Sequence, residues 1–485
     1  MIMGEGWLLL EDVRLVDCTA PEASQPTSLL VADDRIRARG STEDLLSLVP
    51  TADRGRVVRE EGAGRTVMPG LIDAHCHMTY GNSLSQEEQD IYTSVESRTL
   101  RAAWNVRRVL RAGVTSISQP GGSWYIGVAL REAIRKGMVL GPRMRTAGRY
   151  ITTSNGLTDW YPDSTGVPDG SIGSLANTPA EMVDNVRRQV KNGVDFIKLA
   201  DSPYGQYQSF TDDELKLIAD LAHQLGRGVT VHARGSAEVR GALAAGFDWI
   251  MHGNVMADEV IDQLATSRTP LVPTLLLLAN AADYGELVGS PREFVDGTRQ
   301  MLEVSGGTLH RAHDAGVVFA MGTDAGFALT PYGEFHAREL ELLMQYAGLS
   351  AQEAIAAGTV NAARTVGLEG EIGTLEPGML ADLLIVRGDP LQDMRVLQDV
   401  ANIEAVFVGG RRVVFDGSEA VAWPNDRALT YSTSTLTADM VRRRGEGPAS
   451  PAATASWEAG GPRQADRELL REITLAGHAA VQDER

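Results

Sequence analysis

The sequence has little cysteine, a deficit of positive charge and no apolar run long enough to cross a membrane. Two cysteines in 485 residues, Cys18 and Cys76, cannot build a disulfide scaffold, which fits a reducing compartment. The amino terminus, MIMGEGWLLLEDVRLVD, has no basic region ahead of its apolar residues and meets acidic ones at once, so it does not read as a secretory signal. The stretch LVPTLLLLANAA from Leu271 is about a dozen residues, too short to span a bilayer. Lys and Arg number 45 against 64 Asp and Glu, a formal net charge of −19. Such a surface repels phosphate backbones, which argues against a nucleic-acid partner, and solubility accounts for it. Together these features predict a cytoplasmic protein that handles a small molecule, with no membrane and no nucleic acid as partner.

What is present is a repeated local pattern. RAGVTSIS begins at Arg111, KNGVDFIKL at Lys191, GRGVTVHA at Gly226, AAGFDWIMHG at Ala244 and DAGVVFAMGTD at Asp314. Each is a helical tail, a glycine suited to the left-handed cap, and a short apolar β-rich run. Helix starts lie between them. Thr178-Pro179-Ala180-Glu181, Thr211-Asp212-Asp213-Glu214 and Ser350-Ala351-Gln352-Glu353 are capping boxes. Apolar strands alternating with helices predict a parallel sheet covered on both faces. Eight candidate strands end near His77, Ser118, Thr146, Lys198, His232, His252, Thr274 and Asp324. That count fits an α/β fold of the (β/α)8 TIM-barrel type over residues 67–371. A doubly wound sheet would open with a Gly-rich phosphate turn after the first strand, and none is there.

The two ends read differently. Residues 1–66 carry WLLLEDVRLVD and SLLVADDRIRARG, and residues 372–422 carry LADLLIVRG and IEAVFVGGRRVVFDG, all strand-like. They predict one small β-sandwich domain completed from both chain ends. Residues 423–485 form a polar extension rich in Gly, Pro and Ala, a mobile or draped tail with one short terminal helix in DRELLREITLAGHAAVQ.

In a strand, residues two apart share a face, so in PGLIDAHCHM His75 and His77 project together, with Asp73 below them, and Cys76 projects the opposite way. They stand at the C-terminal strand end, where barrel active sites are built. Three further strands put His232, His252 and Asp324 at the same rim. Lys198 lies inside an apolar strand, where an unpaired ammonium is costly. Alone it could be a strand-edge lysine that reaches solvent; beside four histidines and an aspartate it reads as part of a site. Four other histidines read as decoys. His310 and His313 share a helix face, His223 sits near a helix end, and His478 lies in the tail. His336, in YGEFHAREL, is kept as a pocket candidate.

This set resembles the amidohydrolase superfamily in its binuclear form, with VMPGLIDAHCH, the His252-Gly253 pair, GTDAG and GTLEPGMLADLLIV all matching its usual phrasing. The resemblance covers roughly residues 1–420 and is nearest the imidazolonepropionase-like and prolidase-like branch, to which ochratoxin amidases and thiocarbamate and phenylurea hydrolases are related. It implies two divalent metal ions, Zn²⁺ foremost, with Mn²⁺, Co²⁺ or Fe²⁺ as other occupants. His75 and His77 would hold one with Asp324, and His232 and His252 the other. Lys198, carboxylated by CO2, would bridge them. The implied chemistry is attack by a metal-bridging hydroxide on a non-protein C–N bond, with Asp324 as catalytic base and then acid. Relatives are often oligomeric, which implies a homo-oligomer.

The substrate side departs from that pattern. Where dipeptidase-like relatives carry a histidine after the third strand, this chain has Asn155. Where they often show Arg-Asp after the second strand, it has Ser118-Gln119. Arg234, after the fifth strand, reads either as a fork for a substrate carboxylate or as a rim ion pair. Tyr204 falls where relatives hold a substrate carboxylate. The insertion over 152–175 brings Trp160 and Tyr161, which would either cover an apolar or aryl substrate or simply pack the loop. The leading expectation is hydrolysis of a small N-acyl or dipeptide-like amide. The alternatives are a urea, carbamate or thiocarbamate xenobiotic hydrolase and a non-catalytic scaffold. Asn155, Tyr204, Arg234 and His336 are the expected substrate-binding residues.

Overall fold

The glycines and capping boxes do locally what their chemistry predicts. In the computed structural model, which describes residues 6–18, 20–421 and 434–443, Gly113, Gly193, Gly226, Gly246 and Gly316 all adopt positive φ just past a helix. Thr178, Thr211 and Ser350 each cap a helix with the reciprocal glutamate bond of a capping box.

The strands between those helices are parallel. Leu71–Asp73 pairs with Val114–Gln119, and that strand with Arg143–Thr146. A second ladder runs from Tyr150–Thr152 through Phe196–Ala200, Gly228–Gly235 and Trp249–Val255 to Leu271–Val272. Backbone bonds link the two ladders. Asp195 N–H donates to Thr146 O at 2.8 Å, Leu271 N–H to Val318 O at 2.9 Å, and Ala74 N–H to Met321 O at 2.9 Å. The strand order therefore returns to the segment it began from. The last segment is less regular than its apolar run suggests. It makes only isolated bridges, Leu271 to Phe319 and Cys76 to Ala325. Asp324 has φ +53°, which breaks extended pairing at that point. The insertion after the third strand also holds two unexpected short strands, Tyr150–Thr152 and Gly173–Leu175, paired in parallel.

Both chain ends build a second β layer. Trp7–Leu15, Thr27–Ala32, Arg35–Gly40, Val58–Glu61 and Arg65–Pro69 share one sheet with Leu383–Arg387, Ile403–Val408 and Arg411–Arg412. Arg65–Pro69 runs antiparallel to Leu383–Arg387 and leads at once into Leu71–Asp73. The N-terminal sheet thus feeds directly into the first strand of the parallel array. Leu10, Leu29, Val67, Leu383 and Phe407 form an apolar cluster drawn from both ends. Asp382 anchors this layer. It is buried, accepts two bonds from Arg143 at 2.7 and 3.1 Å, and accepts Gly409 N–H at 2.6 Å.

Of the extension, Ser434 to Arg443 is described; it ends in the helix Ala438–Arg443. The expected terminal helix and His478 lie outside the described residues. Among those residues no helix is long and apolar enough to cross a membrane.

The buried Asp382–Arg143 pair gives the fold its first test. Asp382→Ala leaves Arg143 and Gly409 N–H without their acceptor. It should cost about 2–4 kcal/mol of unfolding free energy, read by chemical denaturation.

Candidate metal centre

Asp73 sets the base of the site. Its Oδ1 accepts the backbone N–H of His75 at 3.0 Å and of Thr323 at 3.1 Å, and its Oδ2 accepts the Thr323 hydroxyl at 2.6 Å. One buried carboxylate therefore ties the first strand to the last segment. Asp324 N–H then donates to His75 O at 2.7 Å. Gly322 is required beneath them, since a Cβ there would stand 2.8 Å from the His75 Cβ.

Above this base, ligand atoms of His75, His77 and Asp324 lie within 4.8 Å of one another. The two Nε2 atoms are 2.9 Å apart, and Asp324 Oδ1 is 3.3 Å from one and 3.1 Å from the other. His77 Nδ1 meets Gly121 O at 2.8 Å, so in the neutral ring that nitrogen donates and Nε2 keeps its lone pair. Burial pushes the imidazoles of His75, His232 and His252 well below the usual histidine range. Burial also works against ionising Asp324, but the imidazoles of His75 and His77 outweigh it and hold the carboxyl well below the usual range. Electron-rich acceptors therefore face one another with few protons to share. A divalent cation relieves that crowding, and the donor set fits one.

His252 and His232 complete the cluster, with ring centroids 4.3 Å apart and His252 5.3 Å from His75. The Thr274 hydroxyl donates to Pro273 O, so its oxygen accepts from His252 Nδ1–H. That leaves His252 Nε2 buried and without a partner. His232 Nε2 faces Pro203 O at 3.3 Å, so in the neutral ring Nε2 donates and Nδ1 keeps its lone pair. His252, Thr274 and Asp324 all have positive φ, a strained backbone concentrated at this rim.

Lys198 is 1% exposed, and among the described residues its Nζ meets the Met251 sulfur at 2.7 Å and the face of the Tyr150 ring at 5.5 Å. Burial lowers its pKa to about 7, with Asp324 opposing that shift. A buried amine without a carboxylate or carbonyl partner is poorly satisfied as an ammonium.

All six residues open into one cavity of about 220 Å³. Arg234 and Tyr204 line it too. The Arg234 side chain is held by Asn254, and Tyr204 is 44% exposed at the mouth. Trp160 lines the cavity from the insertion, whereas Tyr161 turns away to donate to Asp90. The sequence reading missed Tyr80 and Tyr150. Tyr80 stacks on His77 at 4.2 Å, and the Tyr150 hydroxyl reaches His77 Nε2 at 3.2 Å. Their position three residues past His77 and after the third strand was the available signal.

Two expected substrate residues do not line this cavity. His336 is 2% exposed, bonded through Nδ1 to Asp73 at 2.8 Å while its Nε2 accepts Gly333 N–H at 3.1 Å. Both ring nitrogens are used, so it braces the base of the site instead. Asn155 is exposed and sits at φ +65°, with its backbone N–H on Asp159 and its carbonyl on Tyr207. It is a turn residue, a role asparagine fills because it tolerates that backbone. His223, His310 and His313 face Asp248, Asp314 and Glu353 away from the cavity.

Thr274→Val keeps the volume but removes the acceptor that orients His252. Metal affinity should fall about 10–100-fold in a chelator competition, with little loss of stability. Cys76 packs against Met78 and the apolar cluster on the opposite face from the imidazoles. Cys76→Ala should cost about 1 kcal/mol and leave metal content unchanged.

The sequence profile of the amidohydrolase family matches residues 66–413. An ochratoxinase of Aspergillus niger is 27% identical over 436 residues, covering 84% of this chain and 86% of its own. An imidazolonepropionase of Symbiobacterium thermophilum is 25% identical over 411 residues, covering 80% and 90%. The crystal structure of a Xaa-Pro dipeptidase with methionine bound in its active site superposes with a TM-score of 0.72 at 27% identity, covering 84% of this chain and all of that one.

Proposed function

The chain belongs to the amidohydrolase family, in its imidazolonepropionase-like and prolidase-like branch, and from that premise we propose that it hydrolyses a C–N bond in a small N-acyl or dipeptide-like compound. The observation that carries this reading is the convergence of His75, His77, Lys198, His232, His252 and Asp324 on one cavity. In this reading the parallel strands, closed by the segment that ends at Asp324, are a (β/α)8 barrel, and the terminal strands are a small β-domain beside it. His75, His77 and Asp324 would hold one divalent ion, His232 and His252 a second, with carboxylated Lys198 between them.

Two such ions supply Lewis acidity, lowering the pKa of a water and polarising a carbonyl. The protein's own groups do the rest. Asp324, kept ionised by its imidazole neighbours, takes the proton of the attacking water and delivers it to the leaving nitrogen. Arg234 and Tyr204 bind a carboxylate or carbonyl at the polar end of the cavity. Tyr80, Tyr150, Trp160 and Phe327 exclude water around the scissile bond. The apolar share of this lining also favours a second substrate class, aryl or alkyl ureas, carbamates and thiocarbamates. A panel of N-acyl amino acids, Xaa-Pro dipeptides, phenylureas and thiocarbamates separates the two.

The purified protein should carry two equivalents of metal and lose activity to a chelator. His232→Ala should lower kcat/KM about 10³-fold or more. Full activity in that variant, or in metal-free protein, rejects the proposal. Carboxylation needs the neutral amine of Lys198. Its depressed pKa of about 7 makes that form dominant above neutrality and protonates it below. Reactivation of metal-stripped protein by metal plus bicarbonate should therefore rise steeply between about pH 6 and pH 8, and be absent in Lys198→Ala.

A further inference from the structure

Residues 434–443 lie beyond the span that the family profile matches, yet they pack behind the cavity wall. We propose that this segment is a specificity element. It braces the loop after Asp324 and so sets where Phe327, Ala328 and Leu329 stand against the substrate. The proposal rests on the cavity being the active site.

Three stretches of chain are joined backbone to backbone. Leu436 N–H donates to Ala328 O at 3.0 Å, and Ala328 N–H donates to Ser83 O at 3.0 Å. Phe327 also bridges to Ser83. The inner two stretches, Ser83 and residues 327–329, line the cavity; the outer one does not. Leu436 is fully buried on the loop's far side, in one apolar cluster with Leu329 and Phe335, and Met440 and Val441 pack on that cluster. A second tie lies one helix start further on. Ala438 N–H donates to Glu334, which also accepts from Arg108 at 3.0 Å.

The loop cannot hold this position from within. Gly326 N–H to Thr330 O and Thr330 N–H to Phe327 O are internal bonds that fold the loop without fastening it. Among the described residues its outward ties are His77 N–H on Ala325 O, the Tyr332 hydroxyl between His77 O and Gly81 N–H, Ser83, Asn82 with Tyr332 N–H, the Asn280 amide on Leu329 O, and the 434–443 segment. The segment supplies the only one of these that comes from outside the matched region. A change there reaches the substrate by moving Phe327 to Leu329 and not by touching the metal ligands.

Two substitutions in the full-length protein test this. Leu436→Ser removes the apolar anchor. Ala438→Pro removes one N–H donor at the first position of the helix, where a proline ring is accommodated. Without any ligand, both should speed amide exchange over 326–335 by about 10-fold while exchange over 71–77 stays as in the parent. With N-benzoylalanine and N-acetylalanine as probes, the kcat/KM ratio of the bulky to the small substrate should shift by about 5-fold or more at unchanged metal content. Unchanged exchange, an unchanged ratio, or parallel loss of metal and of both activities overturns the proposal. If the parent protein turns over neither probe, the N-acyl reading fails instead, and the exchange measurement still decides the bracing.

Discussion

The crowding of acceptor atoms at His75, His77 and Asp324 is the constraint on which the rest depends. Two imidazole nitrogens and a carboxylate oxygen cannot lie about 3 Å apart in a buried site without a cation or a proton between them. The chain holds them there by spending backbone hydrogen bonds and strain. Asp73 clamps the first strand to the last segment, His336 clamps Asp73, and the Gly121 carbonyl orients the His77 ring. The left-handed backbones of His252, Thr274 and Asp324 aim side chains that an extended strand would point elsewhere.

The second β layer serves the same end. Its strand Arg65–Pro69 is continuous with the strand that presents His75 and His77, so the small sheet grips the first strand at its root. Asp382 ties that sheet to Arg143 in the third strand of the parallel array. The cavity walls away from the imidazoles are built from longer loops. Trp160 comes from the insertion, and Phe327 to Leu329 from the loop after Asp324, each held by contacts distant in sequence. A cavity with a strongly anchored floor and separately braced walls can change its substrate while its metal chemistry persists.

Much of this was legible in the linear sequence because it depends on period and type. Strand alternation separated His75 and His77 from Cys76, and the structure puts Cys76 in the apolar cluster opposite the cavity. The capping boxes and post-helix glycines located the units, and similar strand ends placed His232, His252, Lys198 and Asp324 at one rim. His336 and Asn155 do not line the cavity, and their placement was not legible for a common reason. Each lies in a loop, where no periodicity says which way a side chain points. The polar extension was less legible. Its composition suggested a mobile or draped tail, which gives no sign that Leu436, near its start, is fully buried.

The sequence by itself determined the α/β class, the chemistry of the six candidate ligands and the shared face of His75 and His77 opposite Cys76, because pleating and capping are local physics. Only the tertiary structure decided which ring nitrogen faces the site, that Asp73 and not His336 meets the His75 backbone, and that a segment more than a hundred residues past Asp324 backs the cavity wall. Those outcomes turn on hydrogen bonds between residues far apart in the chain, such as Asp73 to Thr323 and Leu436 to Ala328. Such bonds form only once the strands have closed on one another, so no local pattern records them.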